Sequence, residues 1–403
     1  MNILILCQKY SLDVKQSWLT DGLARELSKD HKVSVVFLDW TGQVETDFYK
    51  NIAGVDIHVY ATKNKLASGR LGKILKWFIF PKIIVSKVLK DLAGIKLDLV
   101  INFSPALIMN PILNAYKKRG VQSYLVLWDF FPLYDSEFNL IPKPIKAVLK
   151  RIENYAYNRC DYIGAMSPKN VEFLKQNYSL LPENRLGVLS VWGPNDVLYR
   201  SAESYRAART AQGFTDELVC VFGGQLVRGR GVNKVIELAQ FAKAQEIPAV
   251  FYIFGDGPER ENILLEVKHL GIQDMIVYMG MKPRDEYLQF VSSADIGLVF
   301  NSGAAEVPTF PSKSIDYLRA GVPILAYVED ASDFGVFLET RMRAGWSASP
   351  RNEQQLFQRF REVALMKADE LLARGANGQQ YYLQHMTVEI AAKQISSTYE
   401  TNV

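Results

Sequence analysis

Three glycine- and proline-marked loops in the second half of the sequence carry residue types suited to holding a diphosphate. The first, Gly223-Gly224-Gln225-Leu226-Val227-Arg228-Gly229-Arg230-Gly231, joins an apolar run to a helical pattern. Glycines let backbone approach a phosphate, and a following helix N-terminus adds free N–H groups and partial positive charge. Gly224 and Gln225 sit at the bend, and Arg228 and Arg230 can add charge-assisted hydrogen bonds. The second, Phe254-Gly255-Asp256-Gly257-Pro258-Glu259-Arg260, ends a strand pattern and opens a helix. Read locally it is a helix cap first, with Gly255 its candidate for ligand contact. The third, Pro311-Ser312-Lys313-Ser314-Ile315-Asp316, starts a helix with a lysine in its first turn. There the ammonium opposes the helix dipole unless an anion arrives. Asp316 lies one turn on, on the same face. A phosphate against Ser312 and Lys313 with a sugar hydroxyl at Asp316 fits this spacing; an exposed lysine and a solvated aspartate are the plainer alternative.

These loops need a scaffold that brings strand ends together. Apolar runs at Asn2–Cys7 and Val33–Leu38 flank a helical pattern at Ser17–Ser28, one right-handed crossover of a parallel sheet. Strand patterns follow at Val55–Tyr60, Leu97–Asn102, Ser123–Leu127, Tyr162–Met166 and Arg185–Val191. Residues 192–217 read as an irregular link. The pattern then restarts with strands at Leu218–Phe222, Ala249–Gly255, Met275–Met279, Ile296–Val299 and Pro323–Ala326. Helices are expected at Val232–Gln245, Glu259–Leu270, Arg284–Ser292 and Ser312–Ala320, and in the tail at Glu353–Ala376 and Tyr381–Tyr399. The expected architecture is therefore α/β, with two Rossmann-like doubly wound domains over 1–195 and 196–384 facing across a cleft. Helix 385–403 is expected to pack back on the first domain. Ligands of such sheets bind outside the carboxyl ends of the strands.

Composition agrees with this reading. A chain of 403 residues exceeds what one hydrophobic core usually serves. Apolar residues at 48% and charged residues at 22% exclude disorder and collagen. Cys7, Cys160 and Cys220 lack C-x-x-C spacing, and the four histidines are scattered, so no disulfide framework or zinc site is read. An Asp-x-Asp pair for Mg²⁺ is missing; Asp129 and Asp135 are too far apart. No metal and no cofactor are expected. No apolar run reaches the length of a membrane span, and no targeting segment is read.

In order and spacing the three loops resemble the nucleotide-sugar half of GT-B glycosyltransferases of the retaining family 4, in its Pro-Ser-Lys subgroup of bacterial polysaccharide enzymes. The resemblance rests on FGGQLVRGRGV, FYIFGDGPER, IVYMGMKPRDEYLQFVSSADIGLVF and PSKSIDYLRAGVPILA, and more loosely on NILIL and CDYIGAMSPKNVEFL. It implies sugar transfer from a nucleoside diphosphate sugar of UDP or GDP type, retention at the anomeric carbon and independence of metal. The family's loop lysine falls on Arg230, and its ribose-holding acid on Asp316. The usual Gly-Arg is Gly224-Gln225 here, with Arg228 one shifted replacement. The usual first glutamate falls on Pro308, with Glu306 two residues early. Trp128-Asp129-Phe130-Phe131-Pro132 resembles the subgroup's Asp and Pro at this place, which puts Asp129 near the transferred sugar or the acceptor hydroxyl. Asp129, Arg230 and Lys313 are thus the catalytic candidates. Gly224, Gln225, Arg228, Gly255, Glu306, Pro311, Ser312 and Asp316 are the substrate-binding ones.

Charge is uneven along the chain. Residues 1–200 hold 27 basic and 18 acidic side chains, and the remainder holds 20 and 25. Lys63–Lys90 contains eight Lys/Arg and no acid, interleaved with Leu71, Leu75, Trp77, Phe78 and Phe80. Residues 141–151 add four more cations. This suits an anionic membrane surface through 63–90 and 141–151; two amphipathic helices with solvated lysines are the plainer reading. No nucleic-acid motif accompanies the charge. The expectation is a cytoplasmic enzyme, peripheral on the inner face of the plasma membrane, acting on a lipid-linked glycan acceptor in surface polysaccharide synthesis. The alternative, motivated by Gln225 and Pro308, is a catalytically inactive nucleotide-sugar-binding or scaffold subunit.

Overall fold

The computed structural model describes the chain except for residues 15–18, 40–43, 63–77, 134–142, 179–180, 228, 302–305 and 401–403. The fold is GT-B: two Rossmann-like units, one with a sheet parallel except for its edge strand and one with a parallel sheet. The first unit comprises Met1–Gly193 with Thr387–Val403, and the second Pro194–Met386.

The first unit runs β1 (Asn2–Cys7), α1 (Leu19–Leu27), β2 (Lys32–Asp39), β3 (Phe48–Ile52), β4 (Val55–Ala61), α2 (Phe80–Asp91), β5 (Leu99–Phe103), α3 (Ala106–Lys117), β6 (Gln122–Leu127), α4 (Lys143–Arg159), β7 (Tyr162–Ala165), α5 (Pro168–Asn177) and β8 (Leu186–Val188). Its sheet order is β3-β4-β2-β1-β5-β6-β7-β8. β1 is apolar and buried from Ile3 to Cys7, as suits a strand flanked by parallel neighbours, β2 and β5, with both faces covered. β3 escapes a sequence reading because four of its five residues are exposed, so it has no apolar alternation. It returns antiparallel to β4 through Ala53-Gly54, whose φ values of 51° and 83° suit a two-residue type I′ turn.

The second unit runs α6 (Ala202–Gln212), β9 (Leu218–Gly223), α7 (Val232–Ala244), β10 (Ala249–Phe254), α8 (Arg260–His269), β11 (Ile276–Gly280), α9 (Arg284–Ser293), β12 (Ile296–Phe300), α10 (Ser314–Arg319), β13 (Ile324–Tyr327), β14 (Gly345–Ala348), α11 (Glu353–Ala364) and α12 (Ala368–His385). Its sheet order is β11-β10-β9-β12-β13-β14, parallel throughout.

Residues 192–217 are not the irregular link read from sequence, since α6 lies within them. Ser201 and Ser204 form a reciprocal capping box at its start, and Gly213 ends it in the left-handed region with φ 75°. Arg209 on α6 pairs with buried Asp295 at 2.5 Å, and Asp295 also accepts the Val219 N–H at 2.8 Å. This network ties α6 to the amino ends of β9 and β12, at the opposite end of the sheet from the loops.

The last helix, α13 (Val388–Glu400), belongs to the first unit. The Val388 N–H donates to Gly193 O at 2.8 Å, and Ala391, Ala392 and Ile395 join the core cluster of Leu23 and Trp192. Among the described residues no helix is long and apolar enough to cross a membrane.

Candidate functional site

The loops singled out in the sequence gather at the carboxyl ends of β9, β10, β12 and β13. The first two are sewn together by backbone. The Gly224 N–H donates to Phe254 O at 3.1 Å, Leu226 N–H to Asp256 O at 3.0 Å, and Glu259 N–H to Leu226 O at 3.0 Å. Gly255 has φ 122°, and a Cβ there would lie 1.8 Å from Gly224 O, so glycine permits the two loops to touch. Its own N–H donates to Gly280 O at 2.9 Å, and its carbonyl accepts from the Tyr278 hydroxyl at 3.0 Å. Gly224, Gln225 and Arg230 are exposed along the rim. Gly231, with φ 77°, begins α7 against Phe300, whose carbonyl carbon would lie 2.7 Å from an added Cβ. Arg228 lies outside the described residues.

The third loop departs from expectation in one respect. α10 starts at Ser314 and has six residues, so Lys313 occupies the N-cap position rather than the first turn. Its side chain turns back toward the sheet. Nζ donates to Phe300 O at 2.6 Å and stands 4.6 Å from the Phe222 ring centroid. Burial, then the neighbouring Arg230 charge, lower the Lys313 pKa to about 7, against the opposing pull of Glu329. Glu329 is 1% exposed and accepts from Asn301 Nδ2 at 3.0 Å and from the Thr309 hydroxyl. Lys313 thus feels the Arg230 charge, while Glu329, the acid that opposes it, is already held by neutral donors. Glu329 was not legible as a site residue; its signal is an acid placed directly after the apolar run of β13. Pro311 is buried and Ser312 exposed.

Asp316 on α10 is mostly buried. Arg284 on α9 reaches its Oδ1 at 2.5 Å, and Arg319 approaches the same oxygen at 3.8 Å. Burial raises its pKa, and the two guanidiniums oppose that. Tyr317 fixes α10 to the central strand: its hydroxyl donates to Val221 O at 2.9 Å and accepts the Gly223 N–H at 3.0 Å. Glu306 is exposed, whereas Pro308 is buried.

Asp129 belongs to the first unit. It is exposed after β6, and the Trp128 and Asp129 N–H groups both donate to Ser104 Oγ at 3.1 Å. Nearby, the N-terminus of α3 is closed from within. Buried Glu153 on α4 accepts the Ala106 and Leu107 N–H groups at 2.9 and 3.0 Å. Burial still pushes its pKa up to about 7, against those two bonds. That helix end already holds its own carboxylate. Of the candidates, therefore, Gly224, Gln225, Arg230, Gly255, Pro311, Ser312, Lys313 and Asp316 share one end of one sheet, and Asp129 sits on the other unit.

Comparison with known proteins finds similarity to glycosyltransferases across the second unit. Residues 205–378 match the family model described as glycosyl transferases group 1. A relative named as a candidate colanic acid biosynthesis glycosyltransferase, WcaL of Salmonella typhimurium, is 22% identical over 193 residues, which cover 47% of this chain and 46% of WcaL. The chain thus aligns with about half the length of that relative. Among solved structures, the sucrose-phosphate synthase of Thermosynechococcus elongatus superposes with a TM-score of 0.74 at 15% identity, over 100% of this chain and 98% of that one. Anabaena HepE, solved with UDP and also with UDP-glucose, superposes at 0.69 with UDP, with 16% identity and full coverage of both chains. At such identities the structural likeness establishes the fold.

Proposed function

We propose that the protein is a retaining, metal-independent glycosyltransferase of the Pro-Ser-Lys subgroup, moving a sugar from a nucleoside diphosphate sugar to a lipid-linked glycan in polysaccharide biosynthesis. The observation that carries this is the placing of the Gly224–Arg230 loop and of Lys313, held on Phe300 O, at the carboxyl ends of β9 and β12 within the matched residues. Cleaving the anomeric C–O bond leaves its electron pair on the diphosphate and positive charge on the sugar. Cations already aimed at that diphosphate stabilise the transition state more than the ground state. The acceptor oxygen attacks from the face the diphosphate leaves, and its proton passes to a diphosphate oxygen. Gly224, Gln225, Ser312 and Arg228 complete the phosphate cradle in this reading. Both guanidinium contacts of Asp316 fall on Oδ1, leaving Oδ2 for a ribose hydroxyl. UDP is the favoured carrier, because HepE is solved with it. Asp129 and Glu306 would face the sugar or acceptor.

The lipid-linked acceptor is supported by α2 and α4, which both pack on α3. They expose Ile83 (68%), Val148 (53%) and Ile145 beside Lys82, Lys90 and Arg151. Basic residues near an anionic leaflet contribute about 1 kcal/mol each. Lys87 counts less, being paired with Asp47. Residues 63–77 and 141–142, part of the two basic stretches, lie outside the described residues. Buried Pro308 in place of a glutamate favours a second reading, a scaffold that binds nucleotide without turning it over. Thermal-shift screening of nucleotide sugars, followed by release of nucleoside diphosphate, separates the two. The enzyme releases UDP from its donor; a scaffold binds UDP and releases none; failure to bind any nucleotide overturns both.

A further inference from the structure

At the β3 edge of the first unit's sheet, a cavity of about 320 Å³ opens between the β3–β4 hairpin and α2. That is the lower end of the size range of small-ligand sites, about 300–1,000 Å³. Its walls combine aromatic rings with polar groups. Tyr49 and His58 stand with ring centroids 5.1 Å apart at 53°, and Tyr49 is 58% exposed. The Tyr49 hydroxyl is anchored on Asp56 at 2.5 Å, which holds the ring at the mouth. Inside, the Tyr60 hydroxyl donates to Asp91 at 2.8 Å, and Lys87 pairs with Asp47. Asp47 is also braced by the Ala61 N–H at 2.7 Å. Burial lowers the basicity of His58 against the pull of Asp91 and Asp56, which favours the neutral imidazole with one donor and one acceptor nitrogen.

We propose that this cavity is a carbohydrate-binding subsite, in which one sugar ring lies on Tyr49 and His58 while its hydroxyls bond to Asp47, Asp91 and Lys87. Two carboxylates against one ammonium repel a phosphate or nucleotide. Carboxylates accept hydrogen bonds and give none, so they need a donor-rich ligand. A wholly apolar ligand would leave them desolvated without new partners. A pyranose answers both demands, with an apolar C–H face for the rings and hydroxyl donors at its rim. The site would hold a unit of a glycan on residues other than those proposed to hold the diphosphate. The choice of glycan among polyhydroxy ligands rests on the glycosyl-transfer reading; the cavity and its chemistry do not.

Saturation-transfer NMR of the full chain with methyl glycosides of glucose, galactose and N-acetylglucosamine, and with their disaccharides, tests this. At least one probe should give signal, and Tyr49→Ala should weaken its binding about fivefold to tenfold, the worth of one lost ring contact. Tyr49→Phe, which keeps the ring but loses its anchor on Asp56, should weaken binding less than Tyr49→Ala, and Asp91→Asn should weaken binding without unfolding the edge. The UDP thermal shift should be the same in all four proteins. Absence of signal from every probe, or signal unchanged in both Tyr49→Ala and Asp91→Asn, overturns the proposal. A parent protein that ignores UDP yet binds glycosides through Tyr49 sinks the donor reading and leaves the subsite standing.

Discussion

Raising the pH from 7 to 9 should weaken binding of UDP-glucose about fiftyfold, and Lys313→Met should abolish that dependence. Lys313 shares its enclosure with the Phe222 ring, the Phe300 carbonyl, Arg230 from the first loop and Glu329 from the end of β13. Burial and Arg230 bring its pKa to about 7, so half the molecules have lost this proton at neutrality. A diphosphate set against it restores the ammonium. Binding above pH 7 then takes up one proton, and each further unit costs about tenfold in Kd, or about 1.4 kcal/mol. UDP-glucose is the right probe because its doubly esterified diphosphate does not itself titrate in this range. Stability without ligand should move the other way. Between about pH 7 and the ordinary lysine value of 10.5, the unfolded chain holds a proton that the folded one has released, so this group makes stability rise with pH. Calorimetric titrations at pH 6, 7, 8 and 9, in buffers of different ionisation enthalpy, count the protons directly. A Kd flat from pH 7 to 9, or an equal fall in Lys313→Met, refutes the reasoning.

Glu153→Ala should lower the melting temperature of the first unit by several degrees, since a buried helix cap is worth about 1–2 kcal/mol; scanning calorimetry reads this directly. Gly255→Ala should abolish UDP binding while circular dichroism stays native, because the new Cβ would overlap Gly224 O and force the two loops apart. Ile83→Asp combined with Val148→Asp should release the protein from anionic liposomes at low salt; unchanged co-sedimentation would remove these helices from any lipid contact.

Most of the strand succession and the three loops were legible because they rest on local signals. β1 and β9 are continuous apolar runs, and glycines mark the turns beyond β9 and β10. What was missed lacked such a signal. β3 buries almost nothing, so no alternation marks it, and α6 is polar with two isolated anchors, Tyr205 and Arg209. Lys313 could be singled out from its loop, but its environment could not. Its backward turn onto Phe300 depends on a six-residue helix and on contacts from β9 and β12. Glu329, Arg284 and Glu153 are long-range partners, and nothing in their immediate sequence announces what they hold.

In the proposed reaction, protein cations alone neutralise the leaving diphosphate. Calorimetric titration of UDP in excess EDTA, with Arg230→Ala and Lys313→Met alongside the parent and uridine as the phosphate-free control, tests it most directly. The account predicts that the parent binds UDP in EDTA, that each variant binds about tenfold to a hundredfold more weakly, and that uridine binding is equal in all three. Binding that needs added manganese, or variants that lose uridine and UDP alike, would contradict it.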